Sequence, residues 1–296
     1  MPNETSIVAD APGAPGVSVV TTGWLAAHLR EPRVRVVDAS WHMPQARRDP
    51  RREFSEAHIP GAVFFDIDAV ADRTTALPHM LPSPEVFAAA VGALGIGDDD
   101  QVVVYDSRGV VSAARGWWTF RVFGHEHVAV LDGGLSKWRA EGRPVEAGAP
   151  APTPRRFTPR FAPALVRDLG QMLKNLTTRD EQVLDARSAG RFAATEPEPR
   201  AGLRGGHIPG SRNLPSDTLY AADGTLLPPE ALRLRFTEAG VDLTAPVVTT
   251  CGSGITASVL ALGLHLVGHR AVAVYDGSWT EWGGRADTPI EEGSAR

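Results

Sequence analysis

The chain is written twice, and no other feature constrains its fold so strongly. "VVDAS" at 36–40 returns as "VLDAR" at 183–187, and "HIPGA" at 58 returns as "HIPGS" at 207. "LPSPE" ending at Glu85 matches "LLPPE" ending at Glu230, and "VVVYDSRG" from Val102 matches "VVTTCGSG" from Val247. "VAVLDGGLSKW" from Val128 matches "VAVYDGSWTEW" from Val272. The offsets drift only from 149 to 144, so the halves are two copies of one unit with small insertions and deletions. A period this long marks duplicated domains, not a solenoid.

Within each copy, short β-branched runs such as VRVVD, QVVVYD and VAVLD alternate with longer amphipathic stretches. That is the pattern of a parallel sheet covered by helices, so each copy is expected to be an α/β layer structure. Between the copies, "GRPVEAGAPAPTPRRFTPRFAPA" carries six prolines, which favours an extended connector crossing the surface. The expected organisation is a first domain over 17–141, a connector over 142–162, a second domain over 163–284 and a tail over 285–296.

Composition excludes several classes of function. The net charge of -5 gives no general attraction to polyanions, and the arginines form no long basic run, so nucleic acid is not an expected partner. No apolar run approaches a membrane span. The opening MPNETSIVADAPGAPG has neither the basic nor the apolar region of a secretory signal. A single cysteine rules out an intramolecular disulfide and fits a reducing compartment, so the expected location is the cytoplasm.

That cysteine, Cys251, lies in "TTCGSGITAS". PVVTT before it reads as a buried strand, and "ITASVLALGLHLVGH" after it as a helix with Ile255, Val259, Leu262 and Leu266 on one face. Cys251 is therefore placed in a tight loop at the carboxyl end of a strand, where open α/β sheets bind ligands. Gly252 and Gly254 can take positive φ, and no proline interrupts 252–256, so successive amides can curl into an anion-holding nest at a helix start. A nest of this kind, with the helix dipole, favours thiolate over thiol. A lone cysteine is more often a small buried hydrophobe, and both readings stay open on this evidence. The equivalent position in the first copy is Asp106, which cannot be a sulfur nucleophile.

Together, the duplicated unit, both HIPG strings, the "CGSGIT" loop and "YDGSWTEW" resemble the two-domain rhodanese-type sulfurtransferases over about 17–284. The resemblance implies a tandem of rhodanese-like domains, each a central mainly parallel sheet flanked by helices. It also implies a six-residue active loop, Cys251 to Thr256, whose cysteine becomes a persulfide, with Gly252, Gly254, Ile255 and Thr256 lining the bound group. The loop form CGSG[VI]T is similar to that of the members using 3-mercaptopyruvate. Thiosulfate-using members typically carry basic residues where this chain has Gly252 and Ser253.

Cationic side chains at those positions would help bind a compact dianion such as thiosulfate. Mercaptopyruvate instead offers one carboxylate beside a ketone, a shape suited to arginine. Arg187, Arg191, Arg200 and Arg204 follow the first strand of the second copy. Exposed arginines usually only solvate a loop. The shared "GRF...TEPEPR" stretch implies that Arg191 and Arg200 hold the substrate, with Arg187 structural. The string "FFDIDAVADRTTALPHML" implies a proton-transfer triad of Asp68, His79 and Ser253, although Pro78 replaces the aspartate that usually precedes the histidine. "DGSWTEWGG" is expected to pack core and line the loop.

The resemblance thus implies sulfur transfer from 3-mercaptopyruvate, or alternatively thiosulfate, to cyanide, a small thiol or thioredoxin, without metal or organic cofactor. A cysteine phosphatase would need an arginine six positions beyond the cysteine, where this chain has Ala257. A non-catalytic rhodanese-like binding module is a third class, against which Cys251 and the paired arginines argue.

Overall fold

The computed structural model describes residues 17–294. The opening stretch, read above as unlike a secretory signal, and the last two residues of the 285–296 tail lie outside the described residues.

The β-branched runs form two five-stranded sheets. The first contains β1 (Val19–Val20), β2 (Val34–Asp38), β3 (Val63–Phe64), β4 (Gln101–Tyr105) and β5 (Val128–Leu131), in the order β1-β5-β4-β2-β3. The second contains β6 (Val166–Arg167), β7 (Gln182–Asp185), β8 (Arg212–Asn213), β9 (Val247–Thr250) and β10 (Val272–Tyr275), in the order β6-β10-β9-β7-β8. Every strand pair is parallel, and the two orders are the same order shifted by one copy. Parallel strands must be joined by crossovers that cover both faces with helices. The central strands are accordingly buried on both faces: Val102 to Tyr105 and Val247 to Thr249 are all 0% exposed.

Helix Ala257–Leu266, which follows β9, is buried almost all round, with every residue from Ala257 to Leu264 buried. The single apolar stripe expected from sequence understates this burial. Its outer side is covered too, because Gly263 lets the ring of Phe236 close to within 3.0 Å of where a Cβ would stand.

Contact density divides the chain into two compact units. Among the described residues the first comprises 17–70, 82–161 and 221–226, and the second 71–81, 162–220 and 227–294. The division near residue 162 falls at the end of the Pro-rich stretch, but that stretch is fastened to the first unit. Arg155 donates its backbone N–H to Gly92 O at 2.8 Å and pairs with buried Asp100 at 2.6 Å. Phe157 is 6% exposed and packs edge-on against Phe87. Each unit also takes in a segment from the other half of the sequence, which the simple boundaries 17–141 and 163–284 do not anticipate. Asp132, just after β5, accepts the N–H of Leu226 at 2.8 Å, and Asp276, just after β10, accepts that of Leu81 at 2.8 Å.

The HIPG strings are structural. His58 stacks on Phe54 (4.1 Å) and His207 on Phe192 (3.7 Å), with each Nδ1 bonded to the carbonyl of its stacking partner. Glu146 and Glu291 then close over the two turns, accepting the N–H of Gly61 and Gly210. Among the described residues no helix is long and apolar enough to cross a membrane.

The copies differ below their strand ends in one way with a measurable consequence. Asp185 is paired with Arg187, but its counterpart Asp38 faces Ser40 and Tyr105, and burial lifts its carboxyl from 3.8 to about 6. The folded state therefore holds a proton that the unfolded chain has already lost between these values, so stability falls as pH rises from about 4 through 6. Asp38→Asn should remove that loss. Its unfolding free energy is expected to exceed that of the parent at pH 8, by up to about 3 kcal/mol, and to match it near pH 4. Urea titrations at the two pH values check this.

Candidate active site

Cys251 is the first residue after β9 and is 2% exposed. The sequence places it in a tight loop at a strand end; the structure sets it there with its side chain buried, next to a glycine that two arginines approach. A Cβ added to Gly252 would lie 3.0 Å from Arg191 Nη2 and 3.7 Å from Arg200 Nη1. Of the two loop glycines expected to use positive φ, only Gly254 does so, at 80°. Gly252 serves a different need: its missing side chain is the room that the two guanidinium groups use. Ile255 is buried, and half-buried Thr256 stands immediately before the helix.

The loop is held from behind by the tryptophan-rich motif. Trp279 N–H donates to Cys251 O at 2.9 Å, and Thr280 donates to Gly252 O from both its N–H (2.9 Å) and its hydroxyl (2.6 Å). Cys251 N–H donates to Ser278 Oγ at 3.3 Å, and Ser278 sits in the left-handed region at φ 50°. "DGSWTEW" thus anchors the loop backbone as well as packing core.

What such a loop can hold is visible in the first unit. There Asp106, at the position equivalent to Cys251, accepts four backbone N–H groups. Arg108 and Gly109 donate to Oδ1 at 2.8 Å each, and Ser112 and Ala113 to Oδ2 at 2.8 and 2.9 Å. A strand end, a tight loop and a helix start together make an anion cradle. In the first copy the protein's own carboxylate fills it; in the second, sulfur stands at the head of the corresponding loop, which is one residue shorter.

Arg187 is wholly buried. It pairs with Asp185 and Glu198, donates to Gly206 O, and lies 4.2 Å over the Trp279 ring, so its role is to organise the interior. Arg191 is partly exposed and pairs with Glu198 at 2.6 Å. Arg200 Nη2 donates to Ser253 Oγ at 3.3 Å and approaches His79 Nε2 at 3.5 Å. Arg204 is structural, bonding Gly283 O, Trp282 O and Thr288.

His79 belongs to the second unit although it lies in the first half of the sequence. It is 5% exposed and adopts φ 62°, a left-handed conformation that follows directly on Pro78. Asp68 belongs to the first unit, where it accepts Trp41 Nε1 at 3.0 Å. Sequence reasoning missed Glu198, which lay inside the quoted "TEPEPR" string without a role. It also missed the amides around Asp106. Among the described residues no cluster of His, Cys, Asp and Glu is arranged to hold a metal ion.

Two parallel-stranded copies, a cradle filled by Asp106 in one and headed by Cys251 in the other, define the class. The rhodanese-like domain profile matches residues 21–141 and again 168–285, and the chain belongs to the rhodanese-like family. It is 48% identical to thiosulfate/3-mercaptopyruvate sulfurtransferase 1, mitochondrial, of Arabidopsis thaliana, over 92% of this chain and 78% of that protein. It is 46% identical to the 3-mercaptopyruvate sulfurtransferase of Homo sapiens, over 94% of this chain and 97% of that one. Among solved structures, that of SseA from Escherichia coli, described as a 3-mercaptopyruvate sulfotransferase with the rhodanese fold, superposes with a TM-score of 0.82. The two are 40% identical over 88% of this chain and 98% of that chain.

Proposed function

We propose that this protein is a 3-mercaptopyruvate sulfurtransferase working through a persulfide on Cys251. The observation that carries the reading is the pair of loops. The strand end that gives one carboxylate four N–H donors around Asp106 in the first unit carries Cys251 in the second, where the next residue, Gly252, adjoins two arginines. The relatives' names supply the donor.

In the first half-reaction the Cys251 thiolate attacks the thiol sulfur of the donor. An S–S bond forms, the C–S bond breaks, and its electron pair passes to carbon as the enolate of pyruvate. Arg191 and Arg200 hold the carboxylate and the oxygen on which charge develops. A proton delivered to carbon through Ser253 and His79 completes pyruvate. In the second half-reaction a nucleophile such as cyanide, a small thiol or thioredoxin takes the outer sulfur and restores the thiolate. The steps balance without a metal or organic cofactor. The lone cysteine supports a cytoplasmic site of action, which fractionation of the source cells tests.

The test is the mass of the protein after donor treatment. One added sulfur on the Cys251 peptide is expected with mercaptopyruvate, and an unchanged mass rejects the mechanism. Thiosulfate as the main donor is the second reading, favoured by the name of the Arabidopsis relative. Arg191→Ala is expected to lower kcat/KM for mercaptopyruvate on the order of 100-fold, about 3 kcal/mol, and to damage thiosulfate turnover less. Equal losses, with thiosulfate the better substrate of the parent, would reverse the assignment.

A further inference from the structure

Glu198 has a side chain only 2% exposed, yet it makes no contribution of its own to an anion site; its charge opposes one. It accepts Arg187 Nη1 at 2.7 Å on Oε1, and it takes Arg191 by one edge, with Nη2 at 2.6 Å on Oε2 and Nε at 3.3 Å on Oε1. Arg187 is fixed in turn by Asp185 and by Gly206 O, so the carboxylate of Glu198 is anchored from the interior and cannot follow Arg191 outward. A guanidinium presents its donors in a rigid plane. With the Nε–Nη2 edge occupied, what remains for a ligand is the end formed by Nη1 and the second N–H of Nη2, and Nη2 is the Arg191 atom nearest Gly252.

We propose that Glu198 is a positioning and specificity-determining residue, which by gripping one edge of Arg191 aims its other end at the carboxylate of an α-keto acid donor bound at Cys251. The proposal deepens the functional reading above and rests on it. It also makes a prediction opposite in sign to simple electrostatics. Removing a negative charge a few ångströms from the docking point would strengthen anion binding if charge count alone mattered. If aim matters, the same change weakens it.

Alkylation of Cys251 provides the test, because iodoacetate carries a carboxylate and iodoacetamide does not, and neither reaction depends on sulfur transfer. The ratio of the two rates is measured for the parent, Arg191→Ala, Glu198→Gln and Glu198→Asp, together with KM and kcat for 3-mercaptopyruvate. In Glu198→Gln the ratio is expected to fall about tenfold, toward that of Arg191→Ala, while the iodoacetamide rate stays within about twofold; KM should rise about tenfold with kcat changing less. Glu198→Asp keeps the charge but withdraws the oxygens, and is expected to lose part of the selectivity as well. It decides the matter alone should Glu198→Gln fail to fold. A ratio at or above the parent value in a folded variant overturns the proposal. Failure of the parent to take up sulfur overturns the functional reading instead, and the alkylation ratios separate the two outcomes.

Discussion

Cys251→Ser takes up no sulfur from 3-mercaptopyruvate, and its turnover falls by a factor on the order of 10⁴ or more, the scale seen when a nucleophile is removed from a covalent mechanism. The reason is chemical. A serine hydroxyl stays protonated near neutrality and is a far weaker nucleophile, and its oxygen cannot form the S–S bond in which the transferred atom is stored. The fold should be indifferent, because serine is nearly isosteric and the loop backbone is held by Trp279, Thr280 and Ser278 rather than by sulfur. Steady-state assay with intact-mass measurement checks the first part, and an unfolding free energy within about 0.5 kcal/mol of the parent checks the second. Turnover close to that of the parent would move the chemistry to another residue.

Arg187→Met should be the most damaging single change to the second unit. The arginine side chain is 0% exposed, as is that of Asp185, and that of Glu198 is 2% exposed. Burial works against the guanidinium charge, but the two carboxylates beside it hold its pKa above the ordinary arginine value. Removing it strands Asp185 away from water and leaves Glu198 with Arg191 alone, and breaking a buried pair in this way costs about 3–5 kcal/mol. Arg191 would also lose its anchor through Glu198. Chemical denaturation is expected to show this loss, and a change below about 1 kcal/mol would mean that the interior accommodates the carboxylates without their partner.

The two-sheet architecture was legible in the sequence because parallel strands buried on both faces read as unbroken β-branched runs, and because the duplication printed each run twice. The loop around Cys251 was legible for a similar reason: a strand, small residues and an apolar helix leave the intervening turn little freedom. What could not be read depends on distance along the chain. Residues 71–81 join the second unit through contacts such as Leu81 to Asp276, between positions with no local pattern in common. Gly252 was explained wrongly by φ because its real constraint, the approach of Arg191, comes from sixty residues upstream. The Pro-rich stretch reads as a connector by composition, whereas its attachment rests on individual side chains such as Phe157 and Arg155. Glu198 carried no signal beyond its place between two prolines.

The exchanged segments make the duplication hard to undo. A chain cut near residue 162 would give a carboxyl-terminal fragment that has Cys251 and both arginines but has left His79 and Leu81 on the other piece. The amino-terminal fragment would likewise leave the aspartate after β5 without its leucine amide from 226. Neither half is a spare part: each unit takes in a segment carried by the other half of the chain, so loss of either half leaves the survivor incomplete.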